Sequence, residues 1–265
     1  MDRIPLEVQG GEEDQIRFRD CFSVRYLQAA AVLCRLAYGI EHPAGEAGEA
    51  GTTTGEPAGA GEGGESGEEP VLRHEAFVLN AILSSVAFLE SAVNELYADA
   101  ADDAYFCADA RTGEILKAIA GMWHNEKNFD RAPVITRYQK ILAIAGAEPF
   151  DPADQAFANV RELIAIRNNL MHYRREWIVI PDDEAHPAGT PARAGTSERF
   201  EKILKKKFAP NPFAGKNRPF FPDRCLGHGC AEWAVLNSVI FADAFFRRLG
   251  LPVPYEGIRD ELKTR

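Results

Sequence analysis

The chain has 265 residues, 26% of them charged, and a formal net charge of −10 from 40 acidic and 30 basic side chains. That length allows one large domain or two small ones. Five widely spaced Cys (Cys21, Cys34, Cys107, Cys225 and Cys230) and no secretory apolar region after Met1 argue against a disulfide scaffold and for reduced thiols in a cytoplasmic setting. No uninterrupted run reaches the eighteen or so apolar residues of a bilayer span, so no membrane partner is expected.

The first helix is expected over Phe18 to Gly39, where Phe22, Tyr26, Leu33, Leu36 and Ala37 recur at three- and four-residue steps and Gly39 supplies a stop. Residues 41–70 follow with nine Gly, eight Glu, three Pro and no Lys or Arg. Such a stretch has too little apolar surface to offset its ordering entropy and reads as a disordered acidic insert. With its eight Glu set aside, the net charge of −10 falls to −2 for the remainder, so the body of the chain is close to neutral.

A long helix is expected from Val71 to Ala101, apolar over most of its circumference, with Asn80, Ser84, Ser91 and Glu95 as a polar edge. A helix that apolar belongs at the centre of a bundle. Further helices are expected over Thr112–His124 and Pro133–Ala145, the latter with Pro at its start and Gly146 after its end. Another opens with Asp151-Pro152-Ala153-Asp154, read as a cap and an N1 proline, and should run to about Trp177. Trp177–Ile180 is the best strand signal, Pro181–Ser197 reads as a long loop, and Phe208–Arg224 as an irregular, basic, Pro-rich connection. The last helix is expected over Ala231–Leu249, with Gly250 as its stop. The expectation is all-α: an N-terminal helix (1–40) packing on the bundle, the insert (41–70), a helical domain (71–250) and a C-terminal tail (251–265).

Chemistry concentrates in one string, Arg167-Asn168-Asn169-Leu170-Met171-His172, near the end of an apolar helix. Arg167 supplies a permanent cation whose fork matches a phosphate. His172 can both take and give protons near neutrality. Five helical residues turn about 140°, so Arg167 and His172 do not stack on one face, whereas Asn168 and His172 share one. Convergence on one substrate group therefore needs a second surface, either a neighbouring helix or another copy. The alternative, that Arg167 pairs with a buried carboxylate and His172 merely hydrogen-bonds locally, stays open at this point.

The string resembles the signature of the HEPN superfamily (higher eukaryotes and prokaryotes nucleotide-binding): an Arg, a polar residue, then a His after four to six residues on a late helix of a bundle. Phe88-Leu89-Glu90-Ser91-Ala92-Val93-Asn94-Glu95-Leu96 is similar to the acidic helix that packs against the motif helix in that family, and Cys230-Ala231-Glu232-Trp233-Ala234 looks like the closing helix of bacterial members. The resemblance implies a HEPN-like helical bundle over 71–250. It also implies a metal-independent ribonuclease without cofactor, acting on RNA as a homodimer in a toxin, phage-defence or RNA-processing setting, with an inhibitory protein partner as a further implication. Arg167, Asn168 and His172 are then the catalytic candidates, and Glu90 and Asn94 are the residues expected to orient Arg167. Arg174, Arg175, Lys205, Lys206 and Lys207 are the candidates for RNA contact. The competing expectation is a non-catalytic bundle that keeps the motif as a dimerisation or nucleic-acid-binding surface.

Cys225, His228 and Cys230 offer three zinc ligands within six residues but no clear fourth. A capping loop before the last helix is the favoured reading of that segment, and no metal is expected.

Overall fold

The structure is a computed structural model that describes residues 21–43, 68–101, 110–125, 131–173 and 195–265. Among the described residues all regular structure is helical: α1 (Phe22–Glu41), α2 (Glu68–Ala101), α3 (Ala110–Asn125), α4 (Val134–Ile144), α5 (Gln155–Met171), α6 (Thr196–Leu204) and α7 (His228–Leu249). The body of the acidic insert, the Trp177–Ile180 strand signal, Cys107, Arg174 and Arg175 lie outside the described residues.

The architecture is set by α2, which packs against α1, α3, α4, α5 and α7, as its nearly all-round apolar surface requires. α7 lies against α1, α2, α4 and α5 and closes the bundle. By length and composition both α2 and α7 would reach across a membrane, but 50% and 61% of their most apolar windows are already buried in the protein. Between α4, α5 and α7 the core is aromatic: the Tyr138 ring meets Phe245 edge-on at 4.5 Å, and Phe150 stacks on Phe241 at 4.6 Å. Tyr138 brings one polar atom inside and donates it to the Leu89 carbonyl at 2.8 Å.

Helix α1 presents a different face from the one its periodicity suggests. Phe22, Tyr26 and Leu36 are exposed, and the buried stripe is Leu27, Ala30, Ala31, Cys34 and Ala37. Small side chains there let two backbones lie close together, an arrangement that a search for large apolar residues misses. Gly39 does not stop the helix, which continues to Glu41. Its end is tied down instead by the Glu41 carboxylate, which accepts hydrogen bonds from His74 Nε2 at 2.7 Å and from the backbone N–H of His228 at 2.6 Å.

That second bond corrects the expectation at the last helix. His228, Gly229 and Cys230 form its first turn and are not a loop before it, and the N-cap position, Gly227, has no side chain to cap with. Glu41 supplies the cap from another helix. α1 is treated alike, for the backbone N–H of Ser23 and its hydroxyl both donate to the carboxylate of Glu95 on α2. Each of these helices thus takes the acceptor for its orphan N–H groups from a neighbour, which couples helix formation to packing.

The α7 start is also a close backbone approach. A Cβ on Gly229 would sit 2.8 Å from the Ala209 carbonyl oxygen and 3.2 Å from Phe208 Cβ, and one on Gly227 would sit 2.8 Å from Asn211 Cα. Gly229→Ala is therefore expected to cost about 1–3 kcal/mol in chemical denaturation. Gly39→Ala, within a helix and with open space around the new methyl, is expected to stabilise by up to about 1 kcal/mol. Equal effects of the two would contradict the close approach.

Burial pushes the Glu41 carboxyl up, but the hydrogen bonds from His74 and His228 outweigh it and leave it below its usual value of 4.5. A depressed carboxylate contributes stability above its unfolded-state value and loses it as pH falls through the folded one. Wild type should accordingly lose stability below about pH 4.5, and its advantage over Glu41→Gln should shrink across that range. A pH-independent difference in unfolding midpoint would contradict the assignment.

Two further expectations change. Residues 251–265 are no free tail: Leu251 and Tyr255 are buried, Tyr255 donates to Asp243 at 2.6 Å, Arg35 donates to the Glu261 carbonyl at 2.9 Å, and the Thr264 carbonyl lies 3.1 Å from His228 Nε2. The segment straps α1 to α7. The loop expected as far as Ser197 is cut short by α6, which begins at Thr196. Its signals are Phe200 and Leu204 four apart on the buried side, with Glu198–Lys202 and Glu201–Lys205 pairs outside.

Candidate functional site

α5 carries the motif, and its start is fixed by side chains rather than by the expected N1 proline. Pro152 lies in the turn before the helix, where Asp151 accepts the Ala153 N–H at 2.8 Å, and Asp154 is the N-cap. The Asp154 carboxylate takes Arg248 of α7 at 2.9 Å, and that guanidinium lies 3.9 Å over the Phe150 ring. The far end stops at Met171, earlier than Trp177. Leu170 is half-buried, but Met171 and Tyr173 are 59% and 50% exposed, so no packing surface rewards further helix.

His172 is consequently the C-cap residue, with φ −120° and ψ 38°, and its N–H donates to the Asn168 carbonyl at 3.0 Å. Having left helical dihedrals, it does not obey the lattice angle that spacing alone assigns. Its ring is exposed, as is Asn168, whereas the Asn169 amide folds back onto the Ala165 carbonyl at 2.7 Å.

Arg167 points to α2, where its Nη2 donates to Glu90 and forms an interhelical ion pair, with 22% of the Arg side chain and 39% of the Glu side chain exposed. A guanidinium has five N–H donors in one plane, so the one held by Glu90 fixes its orientation and leaves others for a phosphate oxygen. Asn94 does not join this pair. One turn along α2, it accepts a hydrogen bond from Arg137 of α4.

The basic stretch after α6 is less free than its sequence suggests. Lys205 pairs with Glu201, Lys207 donates to Asn159 of α5 and lies 5.9 Å over the Trp233 ring, and Lys206 is exposed. A run of positive residues thus becomes one open cation and two engaged ones. The Cys225 and Cys230 sulfurs lie 4.0 Å apart while the His228 ring is committed to Thr264. The three do not converge on one point, and among the described residues no three metal-binding side chains gather. Burial pushes the Cys34 thiol up to about 12, and the hydrogen bond with Cys225, together with burial, pushes the Cys230 thiol up, which disfavours the thiolate at both.

Sequence reasoning missed a groove of about 510 Å³ where the end of α1 meets the start of α7, walled by Tyr38, His42, Trp233 and Lys207. Tyr38 stacks on His42 at 4.2 Å, and Arg265 donates to Glu232 at 2.6 Å along its rim. Its residues come from four separated parts of the chain, so no local pattern announces it.

No protein-family model matches this sequence, and no curated protein and no solved structure matches it either.

Proposed function

We propose that this chain is a metal-independent RNA endonuclease of HEPN-like build, with His172 as general acid or base, Arg167 as phosphate clamp and Asn168 orienting a phosphoryl oxygen. The observation that supports it most is the pairing of a guanidinium oriented by an interhelical carboxylate with an open imidazole and an open amide at the end of the same helix. In the reaction the RNA 2′-oxygen attacks the adjacent phosphorus and loses its proton to a base. The bond to the 5′-oxygen breaks, that oxygen is protonated, and a cyclic phosphate and a 5′-hydroxyl remain. Developing charge on the phosphoryl oxygens is what Arg167 stabilises. DNA lacks the nucleophile and is spared.

One imidazole cannot accept and deliver a proton in the same instant, so a second copy supplies the second group. The exposed Met171 and Tyr173 beside His172 suit such a contact. A homodimer acting in a toxin, phage-defence or RNA-processing role, held in check by a protein inhibitor, is the setting that suits an unregulated nuclease of this chemistry.

The Arg167–Glu90 pair also favours a second reading, in which the guanidinium is only a tie between helices and the bundle binds partners without cutting. Incubation of RNA with wild type and His172→Ala in excess chelator separates the two. Cleavage by wild type alone supports the nuclease, and equal cleavage, or none by either, removes it.

A further inference from the structure

Helix α2 brings a second guanidinium to the same edge. Glu90 and Asn94 lie four residues apart and so project from one face, about 6 Å apart along the axis. Glu90 holds Arg167 of α5, and Asn94 holds Arg137 of α4. The two arginines differ in what balances them. Arg167 has a carboxylate. Arg137 is 5% exposed, its hydrogen-bond partner is a neutral amide, its buried Nε has no partner, and among the described residues no carboxylate lies within ion-pair distance of it.

A guanidinium cannot escape the cost of burial by losing its proton, so a desolvated cation facing a neutral amide wants an anion. Asn94 itself is exposed, so its hydrogen bond with the guanidinium lies at the boundary between core and solvent. We propose that Arg137 is a second phosphate-binding residue, which takes a phosphodiester neighbouring the one at Arg167 on a bound RNA strand. The proposal rests on the nucleic-acid reading above and deepens it, because two cations one turn apart fix the direction of the strand across α2 where a single clamp would let it pivot.

The test uses the full chain and a single-stranded oligoribonucleotide fully 2′-O-methylated, which binds but offers no nucleophile. Fluorescence anisotropy across a salt series gives affinity and its salt slope for wild type, Arg137→Gln, Arg137→Lys and Asn94→Asp. Arg137→Gln should bind roughly tenfold more weakly, with the slope reduced by about 0.7, the value of one phosphate contact on a single strand. Its thermal midpoint should not fall, since a buried cation with no counter-charge among the described residues has been removed. Arg137→Lys should restore most of the slope. Asn94→Asp, which keeps an acceptor oxygen for the guanidinium, should mimic Arg137→Gln by giving it a competing carboxylate.

An unchanged slope in Arg137→Gln and Asn94→Asp overturns the proposal, as does failure of wild type to bind the strand. Should wild type bind with an Arg137-dependent slope yet cleave no unmodified RNA, the nuclease reading falls and this one stands. Intact cleavage with an unchanged slope sinks this one alone.

Discussion

His172→Ala is expected to reduce RNA cleavage by roughly 10²–10⁴-fold, the usual contribution of a positioned general acid or base, while leaving the fold untouched. The second half follows from placement. The ring is exposed at a helix end, and the structural bond at this residue is its backbone N–H to Asn168, which Ala keeps. A surface substitution of this kind shifts stability by no more than about 0.5 kcal/mol, so thermal unfolding should superimpose on wild type. The products give an independent check: wild type should leave cyclic phosphate ends on RNA and no cuts in the matching DNA. A mutant that cleaves as fast as wild type would mean that the activity lies elsewhere or belongs to a contaminant. Gel filtration of the mutant decides whether a lost dimer, rather than a lost imidazole, explains a loss of activity.

The parts of the fold that were legible are those governed by one residue type or one period. Gly146 and Gly250 adopt φ of 64° and 72° where Gly was read as a stop, and the nearly all-round apolar surface of α2 put it at the centre. Harder to read were the features in which two distant segments complete each other. Nothing local to Gly227 says that Glu41 will cap it, and nothing local to Ser23 says that Glu95 will cap α1. Gly39 shows the same limit from the other side, since a residue that usually ends helices was overruled by the bonds holding Glu41 two positions later. At the proposed site, spacing singled out Arg167, Asn168 and His172 as candidates, and helix patterning with the resemblance suggested Glu90, which does pair with Arg167. Arg137 carried no signal, because an Arg on an apolar helix looks like a solvent-facing residue until Asn94 and its own burial are seen together. The basic run at Lys205–Lys207 shows the converse: its sequence does not reveal that Glu201 and Asn159 engage two of its charges.

The second large effect is expected at Glu90, where truncation and neutralisation should part company. Glu90→Ala removes the acceptor and leaves Arg167 partly desolvated without a counter-charge. With both side chains partly exposed, the cost should fall between that of a surface pair and a buried one, about 1–2 kcal/mol. Arg167 then loses its orientation, and cleavage should drop at least tenfold even at saturating RNA, because a clamp that must be ordered during the reaction stabilises the transition state less. Glu90→Gln keeps an acceptor oxygen and hence most of the geometry, but it no longer competes electrostatically with the phosphate. RNA should bind Glu90→Gln more tightly than wild type, lowering KM, while kcat falls by less than in Glu90→Ala. A purely structural tie predicts otherwise: both variants would lose stability in proportion to the bond removed, and neither KM nor the salt dependence of RNA binding would improve. The sign of the change in KM for Glu90→Gln is therefore the measurement that separates a guanidinium held ready for a phosphate from one that only joins two helices.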